Sequence, residues 1–187
     1  CLNKNIGHVN YYLNNGGGSS TMKKKHASKF NKVSSNKLFS LNGNSSHTHT
    51  NAGMAMASLK QGLINIDFSG SAFHNRVAYH DFEGVTLRED ECKRIANNLG
   101  NKSIMVLRNH GLLTTGPTIA EAFMRLYTLE SACQVQLLAR ACKEDLEFVP
   151  EKYLERHAQG LKDAGSYKLA FRALVRRMLR KDPSFIL

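Results

Sequence analysis

Ser103-Ile104-Met105-Val106-Leu107-Arg108-Asn109-His110-Gly111-Leu112-Leu113-Thr114-Thr115 is the stretch on which the fold turns. Its first half carries four consecutive apolar residues, Ile104 to Leu107, too few for a helix and bounded by polar ones, so 103–108 reads as a buried strand. Gly111 to Thr115 begins a second strand after a tight turn. His110 stands where strand gives way to turn, and Gly111 beside it would let another backbone or a ligand come close. A lone histidine there is most simply a core or surface residue, so its meaning depends on what else the chain brings.

Working outward, Thr118 opens the clearest helix, with Glu121 three residues on as a capping box. The apolar stripe recurs at Ala122, Phe123, Leu126, Leu129, Ala132, Cys133, Val135, Gln136 and Leu137, and the helix is expected to run to about Cys142. Pro150 suits the first position of another helix through Tyr153, Leu154 and His157. A basic helix from Tyr167 to Leu179 ends before Lys181-Asp182-Pro183. Upstream, Leu87 to Leu99 is amphipathic: Glu89, Asp90 and Glu91 suit the positive end of the helix, and Gly100 supplies a stop. Val77 to His80 reads as a short strand, and Ala52 to Leu63 as a small helix with Gly62 near its end. Strands and helices intermix, which makes the class α/β or α+β, built in layers.

Residues 1–45 differ in kind. They are rich in Asn, Ser, Lys and Gly, with Asn14-Asn15-Gly16-Gly17-Gly18-Ser19-Ser20 at their centre. Such a composition buries too little apolar surface to offset ordering, so irregular chain is expected, although Val9–Leu13 and Lys37–Leu41 could each add a strand. The formal charge of +11 belongs mostly here. Up to Ile66 there are eight lysines and no acid, whereas from Asp67 onward 18 Lys and Arg face 15 Asp and Glu, leaving +3. The basicity lacks interleaved aromatics, so nucleic acid is not expected as a partner. No run approaches the ~20 apolar residues that span a bilayer, and Lys23-Lys24-Lys25 is followed by polar residues rather than a signal-peptide core. Membrane insertion is therefore not expected. Cys1, Cys92, Cys133 and Cys142 form no Cys-x-x-Cys pair, so free thiols and a cytoplasmic location are expected. At 187 residues the length suits one domain with its own core, read as 46–187.

The first residues of that domain carry chemistry. In an extended strand side chains two apart share a face, so His47 and His49 of His47-Thr48-His49 can converge on one ion. The pair alone weighs little, because surface histidine pairs are common. With His110 there are three candidate ligands, and a catalytic zinc site needs three protein ligands and an open position.

His47-Thr48-His49-Thr50-Asn51-Ala52-Gly53-Met54-Ala55 resembles the metal-binding strand and following helix of the class II aldolase/adducin family. Tyr79-His80-Asp81-Phe82-Glu83-Gly84, Leu107-Arg108-Asn109-His110-Gly111-Leu112-Leu113 and the run 116–136 with Glu121-Ala122-Phe123 and Leu129-Glu130 are similar in turn. Ala173-Leu174-Val175-Arg176 and Asp182-Pro183-Ser184-Phe185 close the series, so that ordered blocks cover about three quarters of the chain. The resemblance implies a three-layer α/β/α sandwich around a mainly antiparallel sheet. It implies a divalent metal, usually zinc, held by His47, His49 and His110, and a homo-tetramer with active sites near subunit interfaces. It also implies cleavage of a carbon–carbon bond beside a carbonyl, with a Lewis-acidic ion stabilising the enediolate.

In the aldolases of this family a glutamate upstream of the His-x-His strand moves the proton. Here no Asp or Glu precedes Asp67, and no helices or phosphate-cradling turns are evident in 1–45. Gly16–Ser20 reads as a flexible linker. The segment is then irregular or misassigned, with the domain's N-terminal part missing. Alternatively the chain belongs to an adducin-like branch, or Glu83 or Asp81 stands in for the glutamate. Tyr79 and His80 could line the site, with strand packing an equal option. The expected function is a metal-dependent aldehyde-lyase-like enzyme acting on a small hydroxylated carbonyl or sugar phosphate. The alternative is a non-catalytic, adducin-like scaffold that binds protein partners.

Overall fold

The computed structural model describes residues 44–84, 89–163, 165 and 167–186. Most of the lysine-rich segment, with the strands expected at 9–13 and 37–41, lies outside them. Strand β1 (Asn44–Thr48) begins two residues before the expected start of the domain. There follow helices α1 (Asn51–Ala57) and α2 (Phe68–Ser71), strand β2 (Val77–His80) and helix α3 (Glu89–Leu99). The hairpin of β3 (Ile104–Leu107) and β4 (Gly111–Gly116) comes next, then helices α4 (Ile119–Ala141), α5 (Glu151–Asp163) and α6 (Tyr167–Lys181).

The strands form one sheet in the order β1-β4-β3-β2. β4 is antiparallel to both β1 and β3, and β2 runs parallel to β3, so the sheet is mainly antiparallel. Period-2 alternation divides the hairpin's apolar residues between the two faces. Ile104, Val106 and Leu112 join Met56, Leu126, Leu129 and Cys133 beneath α1, α2 and α4. Met105, Leu107 and Leu113 pack with Ile95 and Leu99 of α3 on the other side. The architecture is α/β, in three layers, as the resemblance implies.

Local signals set several boundaries. Thr118 caps α4, its hydroxyl oxygen accepting the Glu121 N–H at 3.2 Å, and Gly100 ends α3 at φ +56°, a conformation glycine adopts at little cost. Helix α1 stops at Ala57, well short of the expected Leu63. The carbonyl of Ala57, which a continuing helix would use, instead accepts the Asn109 N–H at 3.1 Å. Leu59 O likewise takes Arg108 Nη1 at 2.7 Å. The hairpin tip thus ends the helix. The short α2, absent from the sequence reading, exists because Asp67 Oδ1 accepts the N–H groups of Ser69 and Gly70 at 2.7 and 2.9 Å.

Cys133 and Cys142 carry free thiols, and burial pushes the Cys133 thiol up to about 12. Cys92 is disulfide-bonded, so the expectation of free thiols fails there and the cysteines no longer argue for a reducing compartment. No helix among the described residues is long and apolar enough to cross a membrane.

Candidate metal centre

Sheet order brings the three sequence candidates together. β1 lies against β4 with His47 opposite Leu113 and Thr48 opposite Leu112, which sets the end of β1 beside the turn that carries His110. That turn is closed by the His110 N–H on Leu107 O at 3.0 Å. Asn109 takes φ +55° within it, a left-handed conformation asparagine tolerates better than most residues. It is anchored to the sheet by the Arg108 N–H on His80 O at 2.8 Å. A Cβ at Gly111 would fall 2.3 Å from Thr48 O and 3.1 Å from the His49 ring. Only glycine there lets the hairpin tip approach the His47–His49 strand.

Ring centroids lie 4.5 Å apart for His47 and His49, 4.9 Å for His47 and His110, and 4.7 Å for His49 and His110. One ring nitrogen from each falls within 4.8 Å of the other two. His47 is buried, His110 half-buried and His49 exposed, so the cluster has a sealed floor and an open mouth.

The floor is oriented by the backbone. His47 Nδ1 lies 2.7 Å from Leu112 O, and a carbonyl only accepts, so Nδ1 carries the proton and Nε2 keeps its lone pair. That nitrogen sits 2.8 Å from His49 Nε2, a separation that needs a proton or a cation between the two. Burial, opposed by the Leu112 carbonyl and reinforced by His49 and His110, lowers His47 to about 4. Burial and then His49 also lower His110, against a raising influence from Glu91. Imidazoles kept neutral, converging, and fixed through the distal nitrogen by a carbonyl are what a borderline divalent ion requires. The residues fit a metal.

Immediately after His49, Thr50 caps α1. Its hydroxyl oxygen accepts the Gly53 N–H at 3.2 Å and its proton goes to Glu130 of α4. The sheet end and α4 are thereby joined beside the cluster.

The other candidates are engaged elsewhere. Tyr79 accepts the Leu63 N–H at 3.1 Å through its hydroxyl, and Arg108 lies over its ring at 4.2 Å. Glu83 is paired with Arg94 through both carboxylate oxygens, and the Arg94 hydrogen bonds hold its carboxyl below the usual range. Asp81 is exposed. His80, at the end of β2, is 4% exposed, and Glu91, read in the sequence only as a favourable first-turn acid, is equally buried. Both line a small recess that reaches His110. His80 shares the buried face of Ala78 in β2, whereas the burial of Glu91 has no signature in the sequence pattern.

Residues 43–137 match the Class II Aldolase and Adducin N-terminal domain. A provisionally named class 2 aldolase from Pseudomonas aeruginosa is 34% identical over 145 residues, 74% of this chain and 56% of its own length. Alpha-adducin from Rattus norvegicus is 41% identical over 92 residues, 49% of this chain and 12% of its own length. Among solved structures, an aldolase II superfamily protein from Pseudomonas syringae superposes with a TM-score of 0.72 at 35% identity, covering 78% of this chain and 59% of that one. The L-fuculose 1-phosphate aldolase from Glaciozyma antarctica PI12 gives a TM-score of 0.61 at 30% identity, covering 73% and 52%. The chain thus spans a little over half the length of the aldolase-type proteins it resembles.

Proposed function

Because the chain belongs to the class II aldolase and adducin family, we propose that it is a metal-dependent carbon–carbon lyase that cleaves or forms a bond beside a carbonyl. The proposed metal ligands are His47, His49 and His110, the ion is zinc or a similar divalent metal, and the substrate is a small hydroxylated carbonyl or sugar phosphate. One observation carries the reading: three ring nitrogens within 4.8 Å of one another at an open sheet end, with the His47 tautomer fixed by Leu112 O.

A divalent ion held by these three histidines would supply Lewis acidity to a carbonyl substrate at the open mouth. The chain's own part is positional. His47 anchors the site from the buried side, while His49 and His110 flank the open mouth where substrate oxygens enter. Three neutral imidazoles leave the ion's charge undiminished for that task. Glu83, held ionised by Arg94, and Tyr79, bonded to the 59–63 loop, are poorly placed as proton carriers. The acid/base group is therefore proposed to come from outside the described residues or from a second copy of the chain. Large apolar residues exposed on α4, among them Tyr127, Val135 and Leu138, suit a homo-oligomer, proposed as a tetramer.

The test uses one preparation. Wild type should hold about one Zn²⁺ per chain, and the His47→Ala, His49→Ala double variant close to none. Wild type should also cleave a sugar phosphate such as L-fuculose 1-phosphate, the substrate in the name of the Glaciozyma antarctica relative. His110→Ala should lower metal content and abolish turnover. Equal, substoichiometric metal in all variants would remove the site. The likeness to alpha-adducin supports a second reading, a scaffold without catalysis, and stoichiometric metal with no turnover on any sugar phosphate would favour it.

A further inference from the structure

His80 lies one strand further along the same sheet end, at the terminus of β2 and paired with Leu107. It is 4% exposed, and its Nε2 is buried without a hydrogen-bond partner. A buried ring nitrogen left unmet costs free energy, so its surroundings show what it awaits. Glu83 Oε1 stands 3.7 Å away, too far for a hydrogen bond and suitable for two ligands of one ion. Glu91, on the first turn of α3, completes the group: one ligand atom each from His80, Glu83 and Glu91 lies within 4.8 Å of the other two. Metal–ligand bonds of about 2.0–2.2 Å set ligand atoms roughly 3 to 4.5 Å apart, which this spacing matches.

We propose that His80, Glu83 and Glu91 form a second divalent-cation site beside the three-histidine corner. On the distal side of His80 the Asn98 amide lies with Nδ2 2.8 Å from Nδ1. That orientation donates to Nδ1 and leaves the proton on Nε2, so metal binding requires the amide to turn over. An amide presents oxygen as readily as nitrogen. With Oδ1 towards the ring, Nδ1–H donates and Nε2 turns a lone pair on the two carboxylates. One imidazole with two carboxylates is a harder donor set than three imidazoles, and it suits Mn²⁺ where the corner suits Zn²⁺. The recess holding these groups has about 10 Å³, room for one ion or water, and His110 and Arg108 share its wall. An ion there would stand next to the proposed corner without depending on it.

Arg94 competes for Glu83. Its guanidinium bonds both oxygens of Glu83, so an ion binding Glu83 must share that carboxylate. The two residues therefore make opposite predictions, which a purely structural role for His80 would not. Chelator-stripped protein is given one equivalent of Zn²⁺ and titrated with Mn²⁺, free Mn²⁺ being read by electron paramagnetic resonance. Wild type should bind one Mn²⁺ per chain. Glu83→Gln, on the rim of the recess, should weaken binding at least tenfold, and Arg94→Gln should tighten it severalfold. The His47→Ala, His49→Ala variant without Zn²⁺ should bind Mn²⁺ as wild type does, which separates this site from failure of the corner. No Mn²⁺ bound at millimolar concentration, equal affinity in wild type and Glu83→Gln, or loss of Mn²⁺ with the corner histidines would each overturn the proposal.

Discussion

Helices α4 and α6 lie side by side, joined where Phe123 meets Phe171 edge-on with ring centroids 5.5 Å apart, and both are well supplied with apolar residues. They end differently. α4 buries seven side chains, Ala122, Met124, Leu126, Leu129, Ala132, Cys133 and Gln136, whereas α6 buries none. The difference comes from what each helix faces. α4 covers β1 and β4 and touches α1 and α2, while α6 meets chiefly the outer side of α4. Burial is a property of the neighbour as much as of the periodic pattern. The match to the family domain, residues 43–137, coincides with the packed layers, and the histidine corner is built wholly on them.

The contrast breaks most readily at Leu129, which is fully buried in the larger cluster. Leu129→Ala should destabilise the protein by about 2–5 kcal/mol in urea or thermal unfolding, through lost transfer energy and the cavity left behind. A loss below about 1 kcal/mol would mean the layer under α4 is loosely packed and the contrast with α6 is empty.

The second test uses acid. The His47 imidazole, held neutral by burial, titrates at about 4 rather than at the ordinary 6.5. Unfolded chain takes up that proton below about pH 6.5 and folded chain only near pH 4, so the unfolded state binds more protons between them. Stability is therefore complete above pH 6.5 and declines as pH falls to 4, by on the order of 3 kcal/mol. Chelator-treated protein should show this as a falling urea midpoint, and His47→Gln should flatten much of the slope. An unchanged slope in the variant would move the origin of the effect to other groups.

Much of the packed half is legible residue by residue because its signals are local. β2 has the expected bounds, β3 and β4 fall within a residue or two of theirs, and Thr118 caps α4 as its hydroxyl and Glu121 suggest. Layers and the shared face of His47 and His49 follow from the intermixed elements and the period of two, whereas the three-layer α/β/α order and the placing of His110 on the same ion rest on the family resemblance. What escaped is tertiary. Helix α1 stops because Asn109 and Arg108 take its carbonyls, partners about fifty residues away. Gln136, which fits an apolar stripe in sequence, is fully buried because its amide accepts the Ile64 N–H at 2.9 Å and donates to Gly62 O at 2.8 Å. Glu91 reads in the sequence as a first-turn acid suited to the helix end, yet α3 turns it into the recess with His80. The tautomer of His47 depends on the Leu112 carbonyl, which no pattern of side chains announces.

The smallest expected effect belongs to α6 and is the sharpest probe of the contrast. Leu169 is 71% exposed, although an amphipathic reading of this helix would give a leucine to the core. If α6 does little more than cover α4, Leu169→Ser removes almost no burial, and the change in unfolding free energy should stay within about 0.5 kcal/mol. Metal content and turnover should stay at wild-type values, since Leu169 is exposed on a helix that packs chiefly on α4. A destabilisation above about 1 kcal/mol would show that this face is covered in solution. If it were also accompanied by a drop in mass by light scattering, the cover would be a second copy of the chain. The exposure of α6 would then describe one subunit rather than the assembly. Its difference from α4 would become one between a core closed within the chain and a core closed between chains.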